Sequence, residues 1–171
     1  NALNAKTDGA ITAAISTTDV TTLLTLDANS GTTGNSYTFS VTDASVNAAD
    51  LNTLAGLTAT AAGVTASVAT TVTGSASDVN DVYVTNIAQF TGIANENVTI
   101  TDTAIDAAVI ANIDSNNDGT IDLSAATSIS GSTTNVSAAF TKSAAGTAMT
   151  GLPLDTPVTI TDTTVDAETL M

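Results

Sequence analysis

The chain contains no cysteine, histidine, arginine or tryptophan, and it has only two prolines and two basic residues, Lys6 and Lys142. Each absence removes a class of chemistry. Without cysteine there is no disulfide, although that alone fixes no compartment. Without histidine or cysteine, most nucleophilic, general-base and transition-metal chemistry loses its usual side chains. Carboxylate pairs of the glycosidase kind remain possible, but a chain without tryptophan and with 3% aromatics has few platforms for sugar rings. Seventeen acidic residues give a net charge of -15, the wrong sign for nucleic acid or an anionic membrane surface. Cation binding and solubility at high salt suit that charge. No apolar run approaches the roughly 18 residues of a membrane span, and no basic segment leads into an apolar one at the start. These features predict no nucleic-acid partner, no membrane insertion and no enzyme.

What is present is repetition. Val158 to Ala167 reads VTITDTTVDA, Val98 to Ala107 reads VTITDTAIDA, and Phe39 to Ala48 reads FSVTDASVNA. The rest of the unit aligns as well. Thr71-Val72-Thr73-Gly74-Ser75 matches Ser128-Ile129-Ser130-Gly131-Ser132, Tyr83 matches Phe140, and Thr91-Gly92-Ile93 matches Thr150-Gly151-Leu152. Repeat units therefore run over 39–97, 98–157, and 158–171 continuing into 1–38. Each unit divides into two halves of strand, Ser/Thr/Asp turn and helix. With Ile15, Val41, Val72, Ile100, Ile129 and Ile160 as strand markers, successive markers lie roughly 26 to 31 residues apart. Closing from Ile160 through Met171 to Asn1 and on to Ile15 gives a spacing in the same range. The expectation is one period of a longer polymer, with identical copies or adjoining repeats of the same chain meeting end to end.

The expected fold is α/β: a single segment, 1–171, of parallel solenoid with about six strand–helix coils, leucine-rich-repeat-like. The alternatives are an all-β solenoid and, behind it, a string of Ig-like sandwiches. Val79, Val82, Tyr83, Ile87 and Phe90 predict one helix, and Val136, Ala139, Phe140 and Ala144 its counterpart. Ile105, Val109 and Ile113 predict a shorter one. Ser75 or Ser77 is the expected cap of the first helix and Asn135 of the second. The five aromatic residues recur at core positions of the repeat, and Pro153 and Pro157 punctuate the approach to a strand.

Two sets of polar residues are candidate sites. Asp114-Ser115-Asn116-Asn117-Asp118-Gly119-Thr120-Ile121-Asp122 follows D-x-N-x-D-G-x-I-D, the opening of an EF-hand-type calcium loop. Asp114, Asn116 and Asp118 would converge on one hard cation, Gly119 would allow the sharp turn, Thr120 would give its carbonyl, and Asp122, at the ninth position, would complete the metal set. Ala125 takes the place of the usual bidentate acid. The other reading is an Asn/Asp/Gly turn between a helix and a strand. Asp43, Asp102 and Asp162, with Asn47, Asp106 and Asp166 four residues on, form the second set. Helix capping is the favoured reading for them, ahead of cation binding between coils.

Runs such as VNAADLNTLAG, TVTGSASDVNDVY, FTGIANENVTITDT and GTIDLSAATSISGS resemble the giant repetitive extracellular proteins of cyanobacteria and other bacteria, the β-strand-repeat or adhesin-like proteins. The resemblance covers nearly the whole chain and rests on repeat texture. The glycine-rich nonapeptide G-G-x-G-x-D that binds calcium in some of these proteins is absent. The resemblance implies secretion, an extracellular or cell-surface location, and a structural task in a filament, sheath or surface layer, or service as an adhesin stalk or receptor-binding fibre.

Overall fold

Short β-branched runs, broken by Ser, Thr, Asn and Asp, lead into helices whose first turns are capped by those same polar residues. The computed structural model describes residues 3–16, 18–26, 34–166 and 168. Among them run twelve strands: β1 (Thr12–Ala14), β2 (Ser36–Ser40), β3 (Ser45–Asn47), β4 (Val64–Thr65), β5 (Thr71–Gly74), β6 (Phe90–Thr91), β7 (Asn97–Ile100), β8 (Ala104–Asp106), β9 (Ile121–Asp122), β10 (Ser128–Gly131), β11 (Met149–Thr150) and β12 (Val158–Ile160). The α-helices among the same residues are α1 (Val20–Leu23), α2 (Ala48–Gly56), α3 (Ala76–Asn80), α4 (Ala107–Asp114) and α5 (Thr133–Ala145).

The molecule is α/β, and the described strands form three sheets, in the orders β1-β2-β4-β6, β3-β5-β7-β9-β11 and β8-β10-β12. Every ladder among the described residues is parallel. Of these ladders, the partners nearest in sequence are Val98↔Ile121 and the most distant Ile129↔Val158. The scheme also recurs. Val46↔Val72 is matched by Ile105↔Ile129, Val72↔Val98 by Ile129↔Val158, Phe39↔Val64 by Val98↔Ile121, and Val64↔Phe90 by Ile121↔Met149. Parallel neighbours need a crossover of a dozen or more residues, which the helices and turns supply.

The core lies between sheets and helices. Val64, Val72, Val98, Ile100, Ile121, Leu123 and Ile129 are buried from the strand side. Leu51, Leu54, Val79, Val82, Ile110 and Ile113 are buried from the helix side. At about 25 cal/mol per Å² of apolar area removed from water, this contact is the main stabilising term for a chain with few large side chains.

Several expectations need correction. The helix through Ile87 and Phe90 stops early: α3 opens into a π turn at Asp81–Thr85, a 3-10 turn follows at Ile87–Gln89, and Phe90 is a strand residue paired with Val64. Asn135 does not cap α5. Ser132 does, with its hydroxyl accepting from the Asn135 N–H. Ile105 belongs to β8, and Ile110, which the helical spacing passed over, is buried. Ala144, expected on the buried face of its helix, is exposed. A helix is preceded by more than one strand, as with β4 and β5 before α3, or β9 and β10 before α5. The expected joint between Met171 and Asn1 lies outside the described residues, as do Thr17 and residues 27–33 of the third unit.

Candidate functional site

The two sets of carboxylates have different surroundings. In the first, each aspartate that follows a strand reaches back to the helix before it. Asp43 accepts from the Val20 N–H (2.8 Å), Asp102 from the Ala76 N–H (2.5 Å), and Asp162 from both the N–H (2.7 Å) and the hydroxyl of Thr133. Val20, Ala76 and Thr133 open α1, α3 and α5, whose first N–H groups have no partner within the helix. The residues four positions later cap the turns that come directly after them. Asn47 accepts from Ala49, Asp106 from Ala108, and Asp166 from Glu168. Capping is thus the observed role of both sets. The hydroxyl and N–H of Thr133 hold the Asp162 carboxyl below its ordinary value. Hydrogen bonds from Thr22 do the same for Asp19, the cap of α1.

The calcium-loop stretch is held by contacts of another kind. Asp114 ends α4, where a negative charge faces the negative end of the helix dipole, and the ammonium of Lys142 on α5 ion-pairs with it. The Asn116 side chain turns back to the Asn112 carbonyl (2.9 Å). Asp118 is exposed, and its N–H donates to the Ala94 carbonyl (2.7 Å). The Thr120 N–H donates to the Asn97 side chain (3.3 Å), and the Asp122 carboxylate accepts from the Ser124 N–H (2.9 Å). Among the described residues no group of three or more acidic side chains is placed to hold a metal ion.

Gly119 owes its identity to a close approach. Its φ is not in the left-handed region, and a Cβ there would lie 2.0 Å from the Glu96 carbonyl oxygen. The Asn117 amide donates to that same carbonyl (3.1 Å). The corresponding contact one unit earlier is the Thr58 hydroxyl on the Tyr37 carbonyl (2.7 Å), beside the Ala59 N–H on the Asn35 carbonyl (2.7 Å).

Glu96 was not anticipated from sequence. It is buried, and one carboxylate oxygen accepts from the Tyr83 hydroxyl (3.0 Å), the Ala94 N–H (2.8 Å) and the Asn95 N–H (3.1 Å). Burial first, then the charge of Glu96 and its hydrogen bond, push the Tyr83 phenol far above its ordinary value. The signal available was a glutamate two residues before the buried Val98, where the other copies carry Tyr37 and Thr156, both also buried.

A surface hollow of about 420 Å³ lies along α5, lined by Thr133, Thr134, Ser137, Ala138, Thr141 and Lys142. Its lining is mostly apolar, and the Lys142 ammonium beside it is already engaged by Asp114. No described helix is long and apolar enough to cross a membrane. Compared with family models, curated proteins and solved structures, the chain finds no match.

Proposed function

We propose that the chain is a segment of parallel solenoid, about six coils per 171 residues, and a structural repeat module of an extracellular filament, sheath or surface layer. The observation that supports this reading best is the recurring ladder scheme. Parallel pairs, from Val98↔Ile121 to Ile129↔Val158, return after one unit with the same partners, and this is how stacked coils share one core along an axis. Capping of helices by the following coil, at Asp43 and Asp102, ties neighbours together without any reactive group. The task is mechanical, not catalytic. The partners are adjoining repeats of the same polypeptide or identical copies, end to end. The location outside the cell or on its surface rests on the resemblance to giant repetitive surface proteins. In this reading the Asp114–Asp122 stretch is a docking turn whose Asn117 and Gly119 meet the preceding coil.

Electron microscopy of the purified chain and of a tandem array is the test. Rods lengthening by about 30 Å per chain length are expected, at roughly 5 Å for each of six coils. A compact particle whose length does not scale with repeat number would overturn the reading.

A further inference from the structure

Each of the three sheets has two edge strands, and two of these edges, β12 and β1, carry the two sides of a joint seen inside the molecule. Among the described residues, β12 pairs on one side only, with β10, and β1 only with β2. Beside β12, Leu154 is 82% exposed and Val158 45% exposed. The corresponding residue Val98 is buried, because β9 covers β7 on that side.

The internal joint between β7 and β9 specifies what should cover β12. Three groups on the incoming side make it: the Asn117 side chain donates to the Glu96 carbonyl, the Asp118 N–H donates to the Ala94 carbonyl, and Gly119 rests against Glu96. The ladder then begins with the Val98 N–H on the Thr120 carbonyl (2.8 Å). The joint between β2 and β4 repeats the first two contacts through Thr58 and Ala59 on Tyr37 and Asn35. The same incoming groups stand before β1. Thr7-Asp8-Gly9-Ala10-Ile11 matches Asn117-Asp118-Gly119-Thr120-Ile121 position for position. Thr7 to Ala10 are exposed. The Thr7 hydroxyl accepts from the Gly9 N–H (3.0 Å), as the Thr58 hydroxyl does from Thr60 (3.1 Å). A Cβ on Gly9 would meet only the Thr7 hydroxyl, at 3.3 Å. The receiving positions before β12 are Leu154 and Thr156, equivalent to Ala94 and Glu96.

We infer that the β12 edge binds the β1 edge of a second copy of this chain, in the register Val158↔Ile11 and Thr159↔Thr12. This rests on the solenoid reading and adds the joint. The Thr7 hydroxyl donates to the Thr156 carbonyl of the neighbour, the Asp8 N–H to the Leu154 carbonyl, and the Val158 N–H to the Ala10 carbonyl. Gly9 packs on Thr156, where any side chain would obstruct.

The chain has no cysteine, so introduced pairs report alone. Paired positions of a parallel ladder lie about 4.8 Å apart, within the span of a disulfide, whereas a two-residue slip stretches this to about 8 Å. Under mild oxidation, the Thr12→Cys, Thr159→Cys double variant is expected to form a ladder of linked oligomers. The Ala14→Cys, Thr159→Cys variant should stay monomeric. Equal or reversed yields would overturn the register. A head-to-tail fusion of two copies, with Thr159→Cys in the first and Thr12→Cys in the second, separates this failure from that of the underlying reading. A fusion that melts above the single chain but does not cross-link these positions overturns the joint and leaves the solenoid standing. A fusion that melts as two independent units overturns both. A cross-linked fusion with raised melting temperature, together with the oligomer ladder, supports the joint between copies; free copies that never link overturn it as a contact between separate chains.

Discussion

The helices α3 and α5 hold corresponding places in the sequence, yet they are built differently. In α5 the helix runs unbroken for 13 residues and stops on Gly146, whose φ of 64° gives the left-handed turn that ends many helices. Its aromatic residue, Phe140, is only partly buried. In the other copy, α3 widens after Asn80 into a π turn, and Tyr83 is fully buried with its hydroxyl on Glu96. Where Tyr83 pairs with Glu96, the other copy has Phe140 and Thr156. The aromatic residue loses its hydroxyl and the position before the strand loses its charge together. A buried phenol needs a partner and a buried carboxylate needs donors, so the two positions are constrained as a pair. One frame therefore accepts a charged, hydrogen-bonded filling in one repeat unit and a less polar one in the next. At Glu96 and Tyr37 the backbone carbonyl is held in the same way, by the side chain of Asn117 or Thr58.

Substitutions can break that comparison. The largest effect is expected for Glu96→Ala, which strands the buried Tyr83 hydroxyl and takes the acceptor from the half-buried Ala94 N–H and from the Asn95 N–H. Urea unfolding should show a loss of roughly 3–5 kcal/mol, against about 1 for Thr156→Ala in the other copy. Equal losses would mean that the two fillings are not alternatives. Gly119→Ala places a Cβ 2.0 Å from the Glu96 carbonyl and should cost roughly 3 kcal/mol. Gly146→Ala meets no atom within 4 Å and should cost only the left-handed backbone penalty, about 1 kcal/mol.

The pH dependence sharpens the same contrast. The Tyr83 phenol is raised from its ordinary value of 10.0. The unfolded chain therefore ionises at a pH where the folded chain still holds its proton, and stability should fall as pH rises past that value. Tyr83→Phe should be the less alkali-sensitive protein in melts between about pH 9 and 11. At the acid end the sign reverses. The depressed Asp162 carboxyl contributes stability above its ordinary value of 3.8, and the contribution is lost as pH falls below it. Asp162→Asn should flatten that limb. The smallest expected effect is that of calcium. With Asp114 paired to Lys142, melting temperature should not move at millimolar calcium. A rise of several degrees that disappears in Asp118→Ala would restore the calcium-loop reading.

Much of the frame was legible because apolar alternation and capping residues act locally. Val98 and Ile100, or Ile121 and Leu123, are buried as their spacing predicts, and Ser75 caps α3. The π turn was not legible, since Val79, Val82 and Tyr83 fit a regular helix equally well, and the break goes with the distant pairing of Phe90 with Val64. The D-x-N-x-D-G pattern is ambiguous for a related reason. Its glycine answers a contact with Glu96, which lies on the far side of α4 in the chain, and spacing within the loop carries no trace of that. Lys142 on Asp114 is equally remote.

The aspartates that reach back to Val20, Ala76 and Thr133 also set a clock. The start of each of these helices is completed by a side chain 23 to 29 residues further along. At about 5–20 residues per second of synthesis, the N-terminal turn waits on the order of 1–6 s for its carboxylate. Each of these helix starts is thus completed only when the strand and aspartate that follow it have emerged.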